Sequence, residues 1–246
     1  MLITSLENEQ IKKYVKLKQK KYRDQYDEFI VEGYHLVIEA CKSGILKKII
    51  IEENEVVPID VETVYVTYDI IKKISDLECP PKILGLCSKI KYEEKLGDKI
   101  LLLDGLQDPG NIGTIIRSAV AFGTDTIIFG KNTVDLYNPK VLRATQGMMF
   151  HVNIIFGDLE EKINEIKMKN IPVYGTKVTH GENAKNLDKK DKVKYALVVG
   201  NEGSGVRDEI SEMCDKNLYI KMHETVESLN VSVATSILLY ELGEEE

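Results

Sequence analysis

The chain has 246 residues, 43% hydrophobic and 30% charged, so it is an ordinary globular composition with length enough for one large or two modest domains. No apolar run approaches the roughly 18 residues of a membrane span, and the start, MLITSLENEQ, lacks the basic-then-apolar plan of a signal peptide. Four scattered cysteines and four dispersed histidines offer neither a disulfide framework nor a metal site, so a cytoplasmic protein with reduced thiols and no metal is expected.

The formal charge of −7 argues against a nucleic-acid partner, but its distribution argues for one. Lys12, Lys13, Lys16, Lys18, Lys20, Lys21 and Arg23 against Glu7 and Glu9 give residues 1–23 a balance of +5, leaving −12 on the rest. Interleaved with Tyr14, Gln19 and Tyr22, this segment reads either as a phosphate-contacting footprint or as a solvated lysine-rich helix. Its helix formers, with Ile11, Tyr14, Val15 and Leu17 near helical spacing, predict one helix over 7–22. A strand at 29–31 follows, then a helix opened by Gly33, with Leu36, Val37 and Ala40 inward, ending at Gly44. Strands at 48–51, 63–66 and 83–88 and a helix at 70–74 complete a small α/β unit. Cys79-Pro80-Pro81 is a connection.

The polar run 89–99 is the boundary, giving expected domains at 1–92 and 98–246. Beyond it, the all-apolar run 100–103 is the signature of a strand buried on both faces of a parallel sheet. Similar strands fall at 126–129, 152–155, 173–175, 197–199 and 218–220. Helices at 111–122, 139–145, 158–169, 206–213 and 229–242 alternate with them, which predicts a parallel α/β domain. The Glu244–Glu246 end is expected to fray.

Three segments could carry chemistry. In 104–123, Asp108-Pro109-Gly110 is a turn, Asn111 an N-cap, and Gly113 lies one turn before Arg117 at a helix start that favours anions. An ordinary capped helix with a surface arginine is the competing reading. In 200–205, Gly200, Gly203 and Gly205 follow a buried strand with GxxGxG spacing, which is not the dinucleotide fingerprint. Glu202 there would repel a phosphate, so the loop suits hydroxyls, amines or a positive centre. In 220–230, Ser228 is a candidate cap for the last helix, and Asn230 either supports that cap or serves a site. His223 beside Glu224 reads as an exposed loop pair.

Taken together, these segments resemble the three motifs of the SpoU/TrmH branch of the SPOUT RNA methyltransferases. N-x-G-x-x-x-R-x-A corresponds to Asn111, Gly113, Arg117 and Ala119, and G-x-E-G-x-G to Gly200, Glu202, Gly203 and Gly205. The third motif corresponds to Ile220, Met222 and Glu227 to Ala234. The likeness spans the last 150 residues or so. The Phe-Ile-Val-Glu-Gly stretch at 29–33 and its surroundings resemble the small substrate-binding domain that many members carry. Two positions depart from the pattern. Lys221 stands where the family has Pro, and Glu224 where it has Gly, so a shifted loop is expected.

The resemblance implies a deep trefoil knot, a homodimer, and S-adenosylmethionine (AdoMet) held near Gly200, Ile220, Met222 and Leu229. It also implies methyl transfer to a ribose 2′-hydroxyl of structured ribosomal or transfer RNA. Arg117, Glu202 and Asn230 would be the catalytic group, with Glu202 orienting Arg117 and Asn230 near the ribose. Asn111 would hold the RNA ribose, and Lys12, Lys13, Lys16, Lys20 and Arg23 would contact phosphates, which position without specifying. An RNA-binding relative without catalysis is the alternative, and AdoMet binding would separate the two.

Overall fold

The computed structural model describes residues 2–179 and 181–243; Glu244–Glu246 lie outside the described residues. The chain divides into two units, Met1–Lys91 with Asp135–Phe150, and Tyr92–Val134 with His151–Glu246.

The first unit is built from β1 (Leu2–Ile3), α1 (Glu9–Lys16), α2 (Lys20–Tyr26), β2 (Glu28–Glu32), α3 (Tyr34–Lys42), β3 (Leu46–Glu52), β4 (Thr63–Val66), α4 (Tyr68–Ile74) and β5 (Ile83–Ser88). Its sheet has the order β1-β4-β3-β5-β2, with β5 antiparallel to both β2 and β3 and the other pairs parallel. Ile11, Tyr14 and Leu17 pack against Ile50, Val64, Val66, Ile70, Ile71 and Leu84 to form the core.

The single helix expected over 7–22 is two helices, and Arg23 explains the break. Its guanidinium Nη1 donates to the carbonyls of Leu17 (2.9 Å) and Lys18 (2.6 Å), just beyond the end of α1, which caps carbonyls that a continuous helix would bond internally. Nη2 meets Asp135 at 2.6 Å. The residue is only 5% exposed. Arg23 is thus spent inside the unit and is not a phosphate contact, contrary to the expectation from sequence. Asp135 opens the segment that returns to this unit, where Tyr137 packs on Phe29 (ring centroids 4.7 Å) and Arg143 approaches Glu32 at 3.5 Å. Asp135→Ala strands a buried cation and is expected to cost about 3 kcal/mol in a denaturant titration; an unchanged midpoint would rule this out.

The second unit contains β6 (Lys99–Asp104), α5 (Pro109–Ala121) and β7 (Thr126–Phe129), after which α6 (Pro139–Thr145) lies in the segment counted with the first unit. It continues with β8 (Asn153–Phe156), α7 (Leu159–Met168), β9 (Val173–Thr176), β10 (Glu182–Asn183), α8 (Lys190–Val193), β11 (Tyr195–Gly200), α9 (Asp208–Glu212), β12 (Lys216–Tyr219) and α10 (Val231–Leu242). The seven strands are all parallel, in the order β10-β12-β9-β11-β6-β7-β8. This is the parallel α/β class read from the sequence. Ile100–Leu103 and Ala196–Val199 in the central strands are buried, because helices cover both faces. Ile100, Leu102, Ile128, Ile155, Ala196 and Val198 pack on Leu159, Ile163 and Ile166 of α7 and Ile210 of α9.

From β6 the chain builds outward through β7 and β8, then crosses to β9 and returns as β11 against β6. The order therefore reverses between β6 and β11. In a parallel sheet, the crevice beyond the carboxyl ends at such a reversal is where ligands bind. Among the described residues no helix is long and apolar enough to cross a membrane, and no cluster of three or more His, Cys, Asp or Glu could hold a metal ion.

Candidate active site

Three loops meet at that crevice: 105–108 after β6, 201–207 after β11, and 220–230 after β12. Gly200 closes β11 directly opposite Asp104 of β6. A Cβ on Gly200 would lie 2.0 Å from the Val206 nitrogen and 2.1 Å from the Gly205 carbonyl carbon, so the absence of a side chain is what lets the chain fold back here. The loop is cinched by Asn201 N to Gly205 O at 3.0 Å and Gly205 N to Asn201 O at 2.9 Å, with Gly205 at φ +72°. Asn201 Nδ2 ties it to the Gly105 carbonyl at 2.9 Å. At its exit, Arg207 donates from its backbone N (2.9 Å) and from Nε (2.8 Å) to the buried Asp104 carboxylate. The sequence reading missed this pair; an aspartate ending an otherwise apolar strand was the available signal.

Glu202 joins the first loop to the second. Its carboxylate accepts from the amides of Gln107 (3.3 Å) and Asp108 (3.1 Å) and from Asn111 Nδ2 (3.1 Å). Asn111 Oδ1 in turn accepts from Asn230 Nδ2 at 2.9 Å, and Asn230 Oδ1 accepts from Ser232 N at 2.9 Å as the N-cap of α10. The polarity of this chain is fixed from one end. A carboxylate only accepts, so Asn111 must turn its amide nitrogen to Glu202 and its oxygen to Asn230. Asn230 must then turn its own oxygen to the helix.

Desolvation pushes the Glu202 carboxyl upward, but the Asn111 side chain and the backbone amides outweigh it and hold it below the ordinary glutamate value of 4.5. The sign follows: this contribution is fully present above pH 4.5 and is lost as the pH falls through the lowered value. The Asn111 side-chain amide resonances should therefore hold steady down to about pH 4.5 and move only below it. Glu202→Gln removes the fixed polarity by setting a donor against donors. About a tenfold loss of activity is expected, equivalent to ~1.4 kcal/mol, and wild-type turnover would show that the polarity is irrelevant.

Several sequence expectations change. Asn111 is not the N-cap of α5: the helix begins earlier, at Pro109, and Asp108 accepts from Asn111 N at 2.8 Å. That leaves the Asn111 side chain free to bridge Glu202 and Asn230. Ser228 does not cap α10; Asn230 does. The Glu202 oxygens accept from the Gln107 and Asp108 amides and from Asn111 Nδ2, and among the described residues no hydrogen bond joins Glu202 to Arg117. Arg117 lies six residues beyond Asn111, about 9 Å along the helix, exposed and joined to Glu202 by no ion pair among the described residues.

Ile220, Met222 and Leu229 are half-buried in the run after β12, while Lys221 and Glu224 are exposed. Glu224 is not among the residues at positive φ, so the loop follows a path that a side chain tolerates there. His223 Nδ1 lies 3.0 Å from Thr225 Oγ1 within an exposed turn. In the basic segment, Lys12, Lys13 and Lys20 are paired with carboxylates, and Lys16 has no carboxylate partner among the described residues.

Residues 98–240 match the SpoU rRNA Methylase family, and residues 8–85 match the MRM3-like substrate binding domain. The chain is 38% identical, over 98% of both proteins, to the 23S rRNA (guanosine(2553)-2'-O)-methyltransferase RlmP of Bacillus subtilis (strain 168). Among solved structures it is similar to an RNA 2'-O ribose methyltransferase, with TM-score 0.84 and 30% identity over 98% of each chain. It is also similar to an AdoMet-bound rRNA methyltransferase from Sinorhizobium meliloti, with TM-score 0.86 and 29% identity over 98% of this chain and 97% of that one. With that family model covering more than half of its length and a relative 38% identical over nearly all of it, the chain belongs to the SpoU rRNA methylase family.

Proposed function

We propose that this protein transfers a methyl group from AdoMet to a ribose 2′-hydroxyl of ribosomal RNA. The observation that carries the reading is the hydrogen-bonded line Glu202–Asn111–Asn230, which ties the loop after β11 and the start of α10 to the first turn of α5. The names of the relatives, a 23S rRNA 2'-O-methyltransferase and an AdoMet-bound rRNA methyltransferase, support the chemistry.

The residues present fit AdoMet. No lysine or arginine lies in 200–206, so nothing there opposes a cationic centre, and the tight backbone at Gly200 leaves main-chain groups rather than side chains to line the pocket. Gly200, Ile220, Met222 and Leu229 would hold it. Bound AdoMet supplies an electrophilic methyl group on a sulfonium.

The rest of the chemistry falls to the chain's own residues. Asn111 and Asn230, locked in orientation through Glu202, fix the shape of the ribose subsite, which is where positioning lowers the barrier. Arg117 grips an RNA phosphate and stabilises charge developing on the 2′-oxygen. A guanidinium stays charged in a protein, so it acts as an electrostatic partner and not as a base.

Residues 1–92 are read as the RNA-binding domain and 98–246 as the methyltransferase domain, the latter carrying the SPOUT trefoil knot; the likeness of fold supports this. The protein is further read as a cytoplasmic homodimer. Val233 and Tyr240 are exposed on α10, seven residues apart and so on one side of the helix, and form an apolar stripe that a second copy would cover.

Tritium transfer from labelled AdoMet to 23S rRNA, followed by mapping of the modified ribose, tests the activity. The reading predicts label on a 2′-oxygen. Failure to bind AdoMet at millimolar concentration by calorimetry would instead leave an RNA-binding protein without catalysis.

A further inference from the structure

The seven cations of residues 12–23 fall into two groups once their partners are known. Lys12 meets Glu7 and Glu9 at 3.0 and 3.2 Å, Lys13 meets Glu28 at 2.6 Å, Lys18 meets Asp76 at 3.0 Å, and Lys20 meets Asp24 at 2.5 Å. Arg23 is held by Asp135. Lys16 and Lys21 are exposed and have no carboxylate partner among the described residues. Both converge on one ring: their ammonium groups lie 5.6 and 5.7 Å from the centroid of Tyr22.

Tyr22 in turn stacks on Tyr26, with centroids 6.4 Å apart and ring planes within 17°. The i, i+4 spacing sets both rings on one side of α2. Lys13 lies over the second ring at 4.9 Å. Lys16 ends α1 and reaches the same place because the chain turns at 17–19. Both tyrosines are half-buried, so each ring is supported from below and keeps part of its surface open.

We propose that this face of α1 and α2 binds an unpaired stretch of the RNA substrate, with phosphates on Lys16 and Lys21 and a base stacked against Tyr22. The proposal rests on the reading of the chain as an RNA methyltransferase. The two lysines can take a phosphate without first releasing a carboxylate, which sets them apart from their five neighbours. Aromatic rings beside unneutralised cations are the combination that unstacked bases and their backbone select. An RNA duplex would load the lysines and leave the ring idle, because its bases are stacked inside.

The test uses the full chain with protein-free 23S rRNA. For single strands, log Kobs changes with log salt by about −0.7 per phosphate neutralised. K16A/K21A is expected to flatten that slope by about 1.4 and to weaken binding about tenfold or more at low salt. K12A/K20A, which removes two paired lysines, should change the slope far less. The chain contains no tryptophan, so Y22W introduces a unique fluorophore, whose emission should be quenched when RNA binds. An unchanged slope in K16A/K21A, an equal change in K12A/K20A, or Y22W emission that RNA binding does not move would each overturn the proposal. A wild-type protein that shows these binding signatures but transfers no methyl group would remove the proposed activity and leave this surface standing.

Discussion

Gly200→Ala is expected to abolish AdoMet binding and methyl transfer together. The new methyl would lie 2.0 Å from the Val206 nitrogen, 2.1 Å from the Gly205 carbonyl carbon and 2.3 Å from its oxygen. All three are backbone atoms, so no side-chain rotation relieves the clash. The chain's remaining recourse is to lift residues 205–207 off β11. That movement opens the Asn201–Gly205 pair, pulls Arg207 from Asp104, and releases Glu202 from the amides of Gln107 and Asp108. Overpacking on this scale costs about 1–3 kcal/mol, and loss of the hydrogen bonds adds to it. Activity should fall more than about a hundredfold, since a site displaced by roughly an ångström already loses that much. Gly203→Ala is the matched control. Its methyl would approach nothing nearer than Asn201 Oδ1 at 3.6 Å, and Gly203 is not at positive φ, so wild-type behaviour is expected. Calorimetric titration with AdoMet on both variants decides the matter: normal affinity in Gly200→Ala would refute the assignment of the pocket.

Arg117→Ala is expected to lower kcat by about 10²–10³, the loss seen when a donor to developing negative charge is removed. AdoMet affinity should be unchanged, because the proposed cofactor residues lie on the other two loops. Stability should move by no more than about 0.5 kcal/mol, as for other exposed positions. Arg117→Lys keeps the charge but loses the planar fork, and it should recover only part of the rate. Single-turnover methyl transfer with saturating RNA and cofactor measures the chemical step directly. A variant with normal turnover there would take Arg117 out of the mechanism, and the line Glu202–Asn111–Asn230 would have to account for rate as well as shape.

The strands of the second unit were legible because burial on both faces leaves nearly continuous apolar runs. Ile100–Leu103 and Ala196–Val199 announce themselves in this way. The two-residue strands β1 and β10 were not legible, since so short a pair shows no period. The break after α1 was also invisible, because it depends on Arg23 turning back onto the carbonyls of Leu17 and Lys18.

At the site, the residue types and their order could be read, but their partners could not. Glu202 and Asn111 are 91 positions apart, and Arg207 and Asp104 are 103 apart. Local pattern carries no information about pairings at that range. The sequence assigned the α5 cap to Asn111, since both Asp108 and Asn111 are good capping residues. Only the register of Pro109 in the first turn settles which one does so.

The placement of Asp135–Phe150 in the first unit also has a consequence for how the protein is made. Residues through Lys91 leave the ribosome first, carrying Arg23 without its counter-ion. Asp135 follows 44 residues later, which at 5–20 residues per second is a wait of roughly 2 to 9 s. During that interval the nascent first unit has neither Asp135 beside Arg23 nor Tyr137 against Phe29. Its completion is therefore timed by synthesis of the first strands of the second unit, β6 and β7, which are made before Asp135.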